Sequence, residues 1–374
     1  MIHDVAVAGA GLAGLQAARI LASRGLRVVL LDRKTSVAET VHTTGIFVRK
    51  TWEDFALPAE QLGRGIRKVT LYSPARRTIK LEAPQDEFRV GRMSWIYLYL
   101  LEQCSRAGVE WIPGARLSGW DAATIEIERN GRKERLLARY LIGADGARSA
   151  VARHLGLDRN RDFLVGLEDV LPSRANEPAL HCYLDPRLAP GYIAWVVDDG
   201  EEAHVGVAGR AGRFNPAAAL ERFRRSIGAS DAAIERRGGL IPVNGILERI
   251  ANKSGLLLGD AAGAVSPLTA GGLDGALRLS AFAADVVSAF LDTGDASILR
   301  QYDGRRFQAR FVARRWMRRL MRAVEHPLAM EVALAVFRHT PLRRMAEHVF
   351  FARGSFPDVS LIQAARRTSV PLRP

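Results

Sequence analysis

An α/β fold that begins with a βαβ nucleotide-binding unit is predicted by three observations. An apolar strand runs straight into a G-x-G-x-x-G turn, the next strand ends in an acid, and two later strands each end in an acid beside glycine. The chain opens with Asp4-Val5-Ala6-Val7-Ala8-Gly9-Ala10-Gly11-Leu12-Ala13-Gly14, and Asp32 follows eighteen residues after Gly14. In that context Gly9 permits a tight turn, Gly11 lets backbone approach a pyrophosphate, and Gly14 lets the next helix pack closely on its strand. The N-terminus of that helix attracts phosphate charge, and Leu12 and Ala13 stand in the turn before it as cofactor contacts. Leu15 to Ser23 reads as the helix, Gly25 as its C-terminal cap, and Arg27 to Leu31 as a buried strand leading to Asp32, which suits a ribose hydroxyl pair. The parts of a dinucleotide site are in order, and they leave NAD and FAD open.

Two further segments bear on that choice. Tyr140-Leu141-Ile142-Gly143-Ala144-Asp145-Gly146 is an apolar strand ending in Asp-Gly, followed by a helix from Ser149 to Leu155. Gly255-Leu256-Leu257-Leu258-Gly259-Asp260-Ala261-Ala262-Gly263 repeats the pattern; Ser266-Pro267-Leu268-Thr269-Ala270-Gly271-Gly272-Leu273 and an Ala-rich helix from Ala276 to about Ala289 follow. Together with the first turn, these motifs resemble the flavoprotein monooxygenase superfamily, which includes p-hydroxybenzoate hydroxylase, squalene epoxidase, flavin-dependent halogenases and geranylgeranyl reductases. The resemblance spans nearly all of residues 1–290. It implies FAD, bound non-covalently in a Rossmann-like domain of the p-hydroxybenzoate hydroxylase type, with a β-sheet substrate domain alongside.

On that reading Asp260 accepts a hydrogen bond from the ribityl chain. The backbone N–H groups of Gly271, Gly272 and Leu273, at a helix start, stabilise negative charge at N1 and O2 of a reduced isoalloxazine. The resemblance also puts Pro267 beside the ring and Asp145 under the cofactor, a helix N-cap being the alternative role for Asp145. Arg33, Leu117 and Gly259 complete the cofactor contacts it implies.

Within the superfamily, Pro190-Gly191-Tyr192-Ile193-Ala194-Trp195 followed by His204-Val205-Gly206-Val207-Ala208 is similar to the Pro-Gly-Gly-Tyr-x-Trp segment of geranylgeranyl reductases and the strand after it. Gly259-Asp260-Ala261-Ala262-Gly263 with Pro267-Leu268-Thr269 resembles those reductases more closely than the hydroxylases, and Gly91-Arg92 matches their flavin-contacting Arg. Two departures stand out. Thr43 occupies the position where the reductases usually carry Cys, and Val197-Asp198-Asp199 replaces their Phe-Pro-Lys. A hydroxyl cannot act as a thiol does near neutral pH, so proton delivery falls to His42, to Thr43 relaying from water, or to water alone. Trp195 is a pocket residue or a core residue of its strand.

A chain of 374 residues with 48% hydrophobic content can bury a large core. The expected division is an FAD-binding part (1–70, 91–160, 250–292), a substrate part (71–90, 161–249) whose strands include Ala179 to Leu184, Ile193 to Val197 and His204 to Ala208, and a basic helical C-terminal region (293–374). Cys104 and Cys182 lack metal-binding or C-x-x-C spacing. The N-terminal apolar run is explained as a strand, and no stretch has the length of a bilayer span, so the chain is expected in the cytoplasm.

Of the net charge of +14, eleven lie in residues 300–374, which hold sixteen Arg, no Lys and five acids. Ala309, Val312, Ala313, Trp316, Met317, Leu320, Met321 and Val324 recur at helical spacing, with Arg310, Arg314, Arg315, Arg318, Arg319 and Arg322 between them. Such a helix either lies on an anionic membrane surface, collecting a lipid substrate, or packs on the protein with its arginines solvated. No recognised nucleic-acid module accompanies the charge, which argues against nucleic acid as a partner.

The function expected is an FAD-dependent oxidoreductase that reduces a carbon–carbon double bond of a hydrophobic, prenyl or lipid, substrate. The alternative is a hydroxylase or epoxidase using O₂. NAD(P)H or another external donor is expected to reduce the flavin in either case, and NAD(P)H, if it is the donor, binds only transiently, since the sequence has no second G-x-G-x-x-G. A halogenase is disfavoured because the Trp-x-Trp-x-Ile-Pro segment is absent.

Overall fold

The computed structural model describes residues 2–212, 214–308, 311–324, 326–338 and 340–351, and builds them on two seven-stranded sheets. In the first, β1 (Ile2–Ala8), β2 (Val28–Asp32), β7 (Glu110–Pro113), the second half of β10 (Arg132–Gly143) and β16 (Gly255–Leu257) run parallel. The first half of β10 instead pairs antiparallel with β9 (Thr124–Arg129), which continues to β8 (Ala115–Asp121). Sequence accounts for the change. Arg132 to Arg135 are charged and exposed, whereas Tyr140 to Ile142 are buried as a doubly covered parallel strand requires.

Against this sheet packs α1 (Leu12–Ser23), with α3 (Met93–Arg106) and α6 (Leu273–Thr293) packed on α1. Leu15 and Leu21 of α1 are fully buried, each worth about 1.5–3 kcal/mol in apolar burial. Glycine is required at two places in the first turn. A Cβ on Gly9, which has φ +107°, would lie 2.2 Å from the carbonyl oxygen of Ala144, and one on Gly14 would lie 1.8 Å from that of Gly9. The short α2 (Arg49–Asp54) and α4 (Ala150–His154) fill the ends of connections.

The second sheet has the order β15 (Glu235–Pro242), β11 (Phe163–Pro172), β14 (Glu202–Arg210), β13 (Ala194–Asp198), β12 (Ala179–Tyr183), β4 (Lys68–Tyr72), β5 (Thr78–Glu82), antiparallel except for β12 with β4. α5 (Pro216–Ser226) covers one face; Asn215 caps it and Pro216 fits its first turn. The expected segment 71–90 divides. Its first strands join this sheet, but β6 (Phe88–Val90) pairs with β3 (Ile46–Val48) in a separate two-stranded sheet.

The C-terminal region is helical where described: α7 (Arg305–Gln308), α8 (Val312–Ala323), α9 (Pro327–Val336) and α10 (Thr340–Phe351). Ala309, Arg310 and residues 352–374 lie outside the described residues. For α8 the packing alternative, with its apolar face on the protein and its arginines solvated, needs correction. Its apolar arc is not a single buried face: Val312, Trp316 and Leu320 are exposed, while Arg318 is buried with its guanidinium 6.0 Å from the Tyr192 ring.

Candidate functional site

The carboxyl ends of β1, β10 and β16 lie side by side, because Ala144 N–H donates to Ala8 (2.7 Å) and Leu258 N–H to Gly143 (2.8 Å). All three motif loops therefore open on one crevice, the place where α/β sheets bind ligands. Each acid is fixed differently. Asp32 accepts from the N–H groups of Ala10 (2.7 Å) and Lys34 (2.9 Å), so it braces the glycine turn from beneath. Asp145 accepts from Ser149 Oγ (2.6 Å) and the N–H groups of Ala150 (2.6 Å) and Val151 (3.1 Å), so it supports the start of α4, whose N-cap is Ser149. Burial nonetheless outweighs those bonds and raises its pKa. Asp260 lies in the cavity wall, where desolvation pushes its carboxyl up to about 6. Asn160 ties the last two loops together through Ala147 O (3.0 Å) and Asp260 O (2.7 Å).

The crevice continues into a cavity of about 690 Å³ between the two sheets and α8–α10. Its first wall is largely backbone: Gly11, Leu12 and Ala13 at the start of α1, and Gly271, Gly272 and Leu273 at the start of α6. Neither helix start has a side-chain cap, and α1 has no acid in its first turn. Two helix N-termini thus present N–H groups and positive dipole ends to one space. A Cβ at Gly11 would meet no atom within 4 Å, so the turn leaves room for a ligand there. This set fits FAD: Gly11 to Ala13 would hold the pyrophosphate, Asp260 the ribityl chain and Gly271 to Leu273 the flavin edge, while Asp32 braces the turn from outside the cavity lining.

The second wall is made of side chains: His42, Thr43, Thr44, Leu180, Tyr192 and Trp195 among them, with Met317, Met321 and Leu334 of the helical cover opposite. His42 is held by its Nδ1 on the carbonyl of Gly238 (2.6 Å), and Thr43 Oγ1 accepts from Gly45 N–H (3.2 Å). Trp195 is a pocket residue, its Nε1 donating to Glu168 (3.1 Å). Cys182 also lines the cavity, but burial pushes its thiol up to about 12, which leaves it without thiolate character near neutral pH.

Four residues expected at the flavin are placed elsewhere. Arg92 does not line the cavity; its guanidinium bonds Asp199 (2.7 Å), Glu201 (2.9 Å) and Glu202 (3.2 Å), of which only Asp199 belongs to the Val197-Asp198-Asp199 segment. Leu117 packs against the core from β8, Pro267 is buried near Gly245, and Arg33 is exposed beside Asp32. Glycines 9 and 14 shape the turn without lining the space. Conversely Lys34, Glu168 and Arg237 line it and His204 stands behind it, none of them expected. For Glu168 and His204 the signal in the sequence is a titratable residue within a largely apolar strand, Glu168 beside Asp169 in β11 and His204 in β14.

Comparison with known proteins agrees with this geometry. The FAD binding domain family matches residues 118–318, and the pyridine nucleotide-disulphide oxidoreductase family matches residues 3–175. Digeranylgeranylglycerophospholipid reductase 1 of Methanopyrus kandleri is 31% identical over 327 residues, covering 82% of this chain and 86% of its own. The enzyme of that name from Methanococcoides burtonii is 27% identical, covering 81% and 79%. A geranylgeranyl bacteriochlorophyll reductase-like structure from Thermoplasma acidophilum superposes with a TM-score of 0.77 over 99% of this chain and 97% of its own, at 21% identity. A probable FAD-dependent monooxygenase from Pseudomonas aeruginosa reaches 0.63 over 90% of this chain and 100% of its own, at 22% identity.

Proposed function

The chain belongs to the FAD-binding reductase family of the digeranylgeranylglycerophospholipid reductases, and from that premise we propose that it hydrogenates a carbon–carbon double bond in the prenyl chain of a lipid. The observation that carries this reading is the joining of a backbone wall suited to FAD with a long apolar wall in one cavity. When bound and reduced, FAD would supply the hydride. The starts of α1 and α6 stabilise the cofactor's negative charge, and Asp260 orients its ribityl chain. Leu180, Tyr192 and Trp195 position the alkene, and Met317, Met321 and Leu334 exclude water. An electron donor of the NAD(P)H class restores the reduced flavin.

The same reading gives α8 and α9 a membrane role. Val312, Trp316 and Leu320 on α8 and Leu328, Val332 and Val336 on α9 form two exposed apolar rows, each at i, i+4, i+8 spacing. Arg319 lies 5.0 Å from the Trp316 ring, so cation and aromatic face outward together. Such a surface suits the headgroup layer of an anionic membrane, and the residues on the inner side of the same helices line the cavity. Among the described residues no helix is long and apolar enough to cross a membrane.

The deciding experiment is anaerobic reoxidation. Protein reconstituted with FAD and reduced with dithionite should be reoxidised by a prenyl lipid without O₂, with formation of the saturated chain. A prenyl lipid that leaves the flavin reduced, while O₂ and lipid together give a hydroxylated or epoxidised product, would establish the oxygenase instead.

A further inference from the structure

A buried ion pair stands in the substrate wall, unused so far. Glu168 of β11 is opposite Gly206 of β14, and its diagonal neighbour on the same face is His204. Glu168 Oε1 is 3.1 Å from His204 Nδ1; Oε2 accepts from Trp195 Nε1 (3.1 Å) and from the Thr44 hydroxyl. Gly206 makes this possible, because a Cβ there would lie 2.2 Å from the Trp195 ring. Glu168 is 3% exposed and lines the cavity, whereas His204 is fully buried behind it.

The pair connects to solvent. His204 Nε2 is 3.6 Å from Glu202 Oε2 and has no hydrogen-bond partner among the described residues. Glu202 meets Arg92 Nη1 at 3.2 Å, and Arg92 reaches Asp199 and the exposed Glu201. From β15, Arg237 faces the pair, held by Glu235 (2.6 Å) and 3.4 Å from the carbonyl of Thr43. The charged groups around the pair are therefore Glu202, Arg92, Asp199, Glu235 and Arg237.

Burial by itself pushes His204 down, but Glu168 and Glu202 overcome it and bring the imidazole up to about 9. For Glu168, burial raises the pKa, and the bonds from His204 and Thr44, with Arg237 nearby, more than offset it, leaving the carboxyl lowered. Near neutral pH the wall thus stores one proton on His204, a hydrogen bond away from a carboxylate that faces the substrate.

We propose that Glu168 is the proton donor to the double bond and that His204 is the positioning residue that loads it. The inference rests on the reductase reading. The His204 Nδ1–H proton first passes to Glu168, leaving a neutral imidazole and a neutral carboxyl. Hydride then adds to one alkene carbon, and the π electrons take that proton from the Glu168 carboxyl at the other carbon. Glu168 is left as the carboxylate, and water reaching Glu202 reprotonates His204. One hydride and one proton have then been added; the cofactor is left oxidised, and a two-electron donor of the nicotinamide class reduces it again. This puts the proton source on β11, bonded to Thr44 and therefore beside Thr43, the residue at the usual Cys position.

The test combines a titration with single turnovers. The His204 ring should titrate near pH 9 by NMR in the wild type and well below that in Glu168→Gln, a shift that needs no catalysis. In the holoenzyme, Glu168→Gln should retain FAD but slow lipid-driven reoxidation about 100-fold or more, the usual range for a lost general acid. Glu168→Asp should recover part of the rate. The wild-type rate should fall as pH rises through 9, and Glu168→Gln should lose that dependence. Should the single variant not fold, Glu168→Gln with His204→Gln removes both charges together and carries the same expectation. Wild-type rates and pH dependence in these variants, or titration of His204 near 6.5 in the wild type, overturn the assignment. A wild type that no prenyl lipid reoxidises contradicts the reductase reading itself, an outcome distinct from an active Glu168→Gln.

Discussion

The two walls of the cavity are built from different parts of the chain's chemistry. The first is backbone held in place by glycine, helix starts and three strand-end acids; the second is side chains projecting from an antiparallel sheet and a helical cover. A wall of backbone depends on where the chain goes, so few substitutions are tolerated and the ligand class is fixed. A wall of side chains can be changed residue by residue while the sheet remains, which lets one fold serve different substrates.

The largest effect should come from attacking the backbone wall. Gly14→Ala places a Cβ against the Gly9 carbonyl, and the required shift of α1 should cost about 3 kcal/mol. Urea unfolding should report that loss, and the purified protein should carry almost no FAD. A stable variant with full FAD would mean that the turn is more compliant than the geometry implies.

The next effect separates binding from folding within the same wall. Asp260→Ala should lower FAD affinity roughly ten- to a hundred-fold, the loss expected for a charged hydrogen bond of about 1.5–3 kcal/mol. The fold should not suffer. Burial raises the folded carboxyl to about 6 from an ordinary 3.8, so its ionisation opposes folding, and cofactor-free protein loses stability as pH rises from about 3.8 through 6. Apoprotein of the Asp260→Asn variant should lack that slope in unfolding measured across the same range.

The side-chain wall should show its own pH signature. With the folded His204 raised above its unfolded 6.5, the contribution of protonated His204 is complete below about 6.5 and is lost as pH rises through 9. Unfolding free energy should decline across that window, and Glu168→Gln with His204→Gln should abolish the decline. The smallest effect belongs to the outer face of the cover. Replacing Arg315 and Arg319 by Gln should weaken sedimentation with anionic vesicles by about 1 kcal/mol per charge, leaving FAD content unchanged.

The same contrast governs how much could be read from sequence. Gly9, Gly11, Gly14, Asp32, Asp260 and Gly271 to Leu273 were legible because backbone sites need fixed residue types at fixed spacing along one stretch of chain. The pair of Glu168 and His204 was not, because it exists only through the register of β11 on β14, thirty-six residues apart in sequence. Arg92 was misplaced for a related reason: its partners at 199, 201 and 202 come from another sheet, and only the fold brings them to it. The periodicity of α8 gave the helix itself but not its seating, since an apolar arc that half covers a cavity and half faces outward has the same spacing as one wholly buried.

The central claim is that cofactor and alkene occupy separable walls of one cavity. It is tested most directly by filling the second wall from the cover, with Met321→Trp, and measuring both FAD content and anaerobic reoxidation of the reduced protein by a prenyl lipid. Met321→Trp should retain full FAD content, with reoxidation by the lipid nearly abolished. Reoxidation at the wild-type rate, or loss of FAD along with it, would contradict the division.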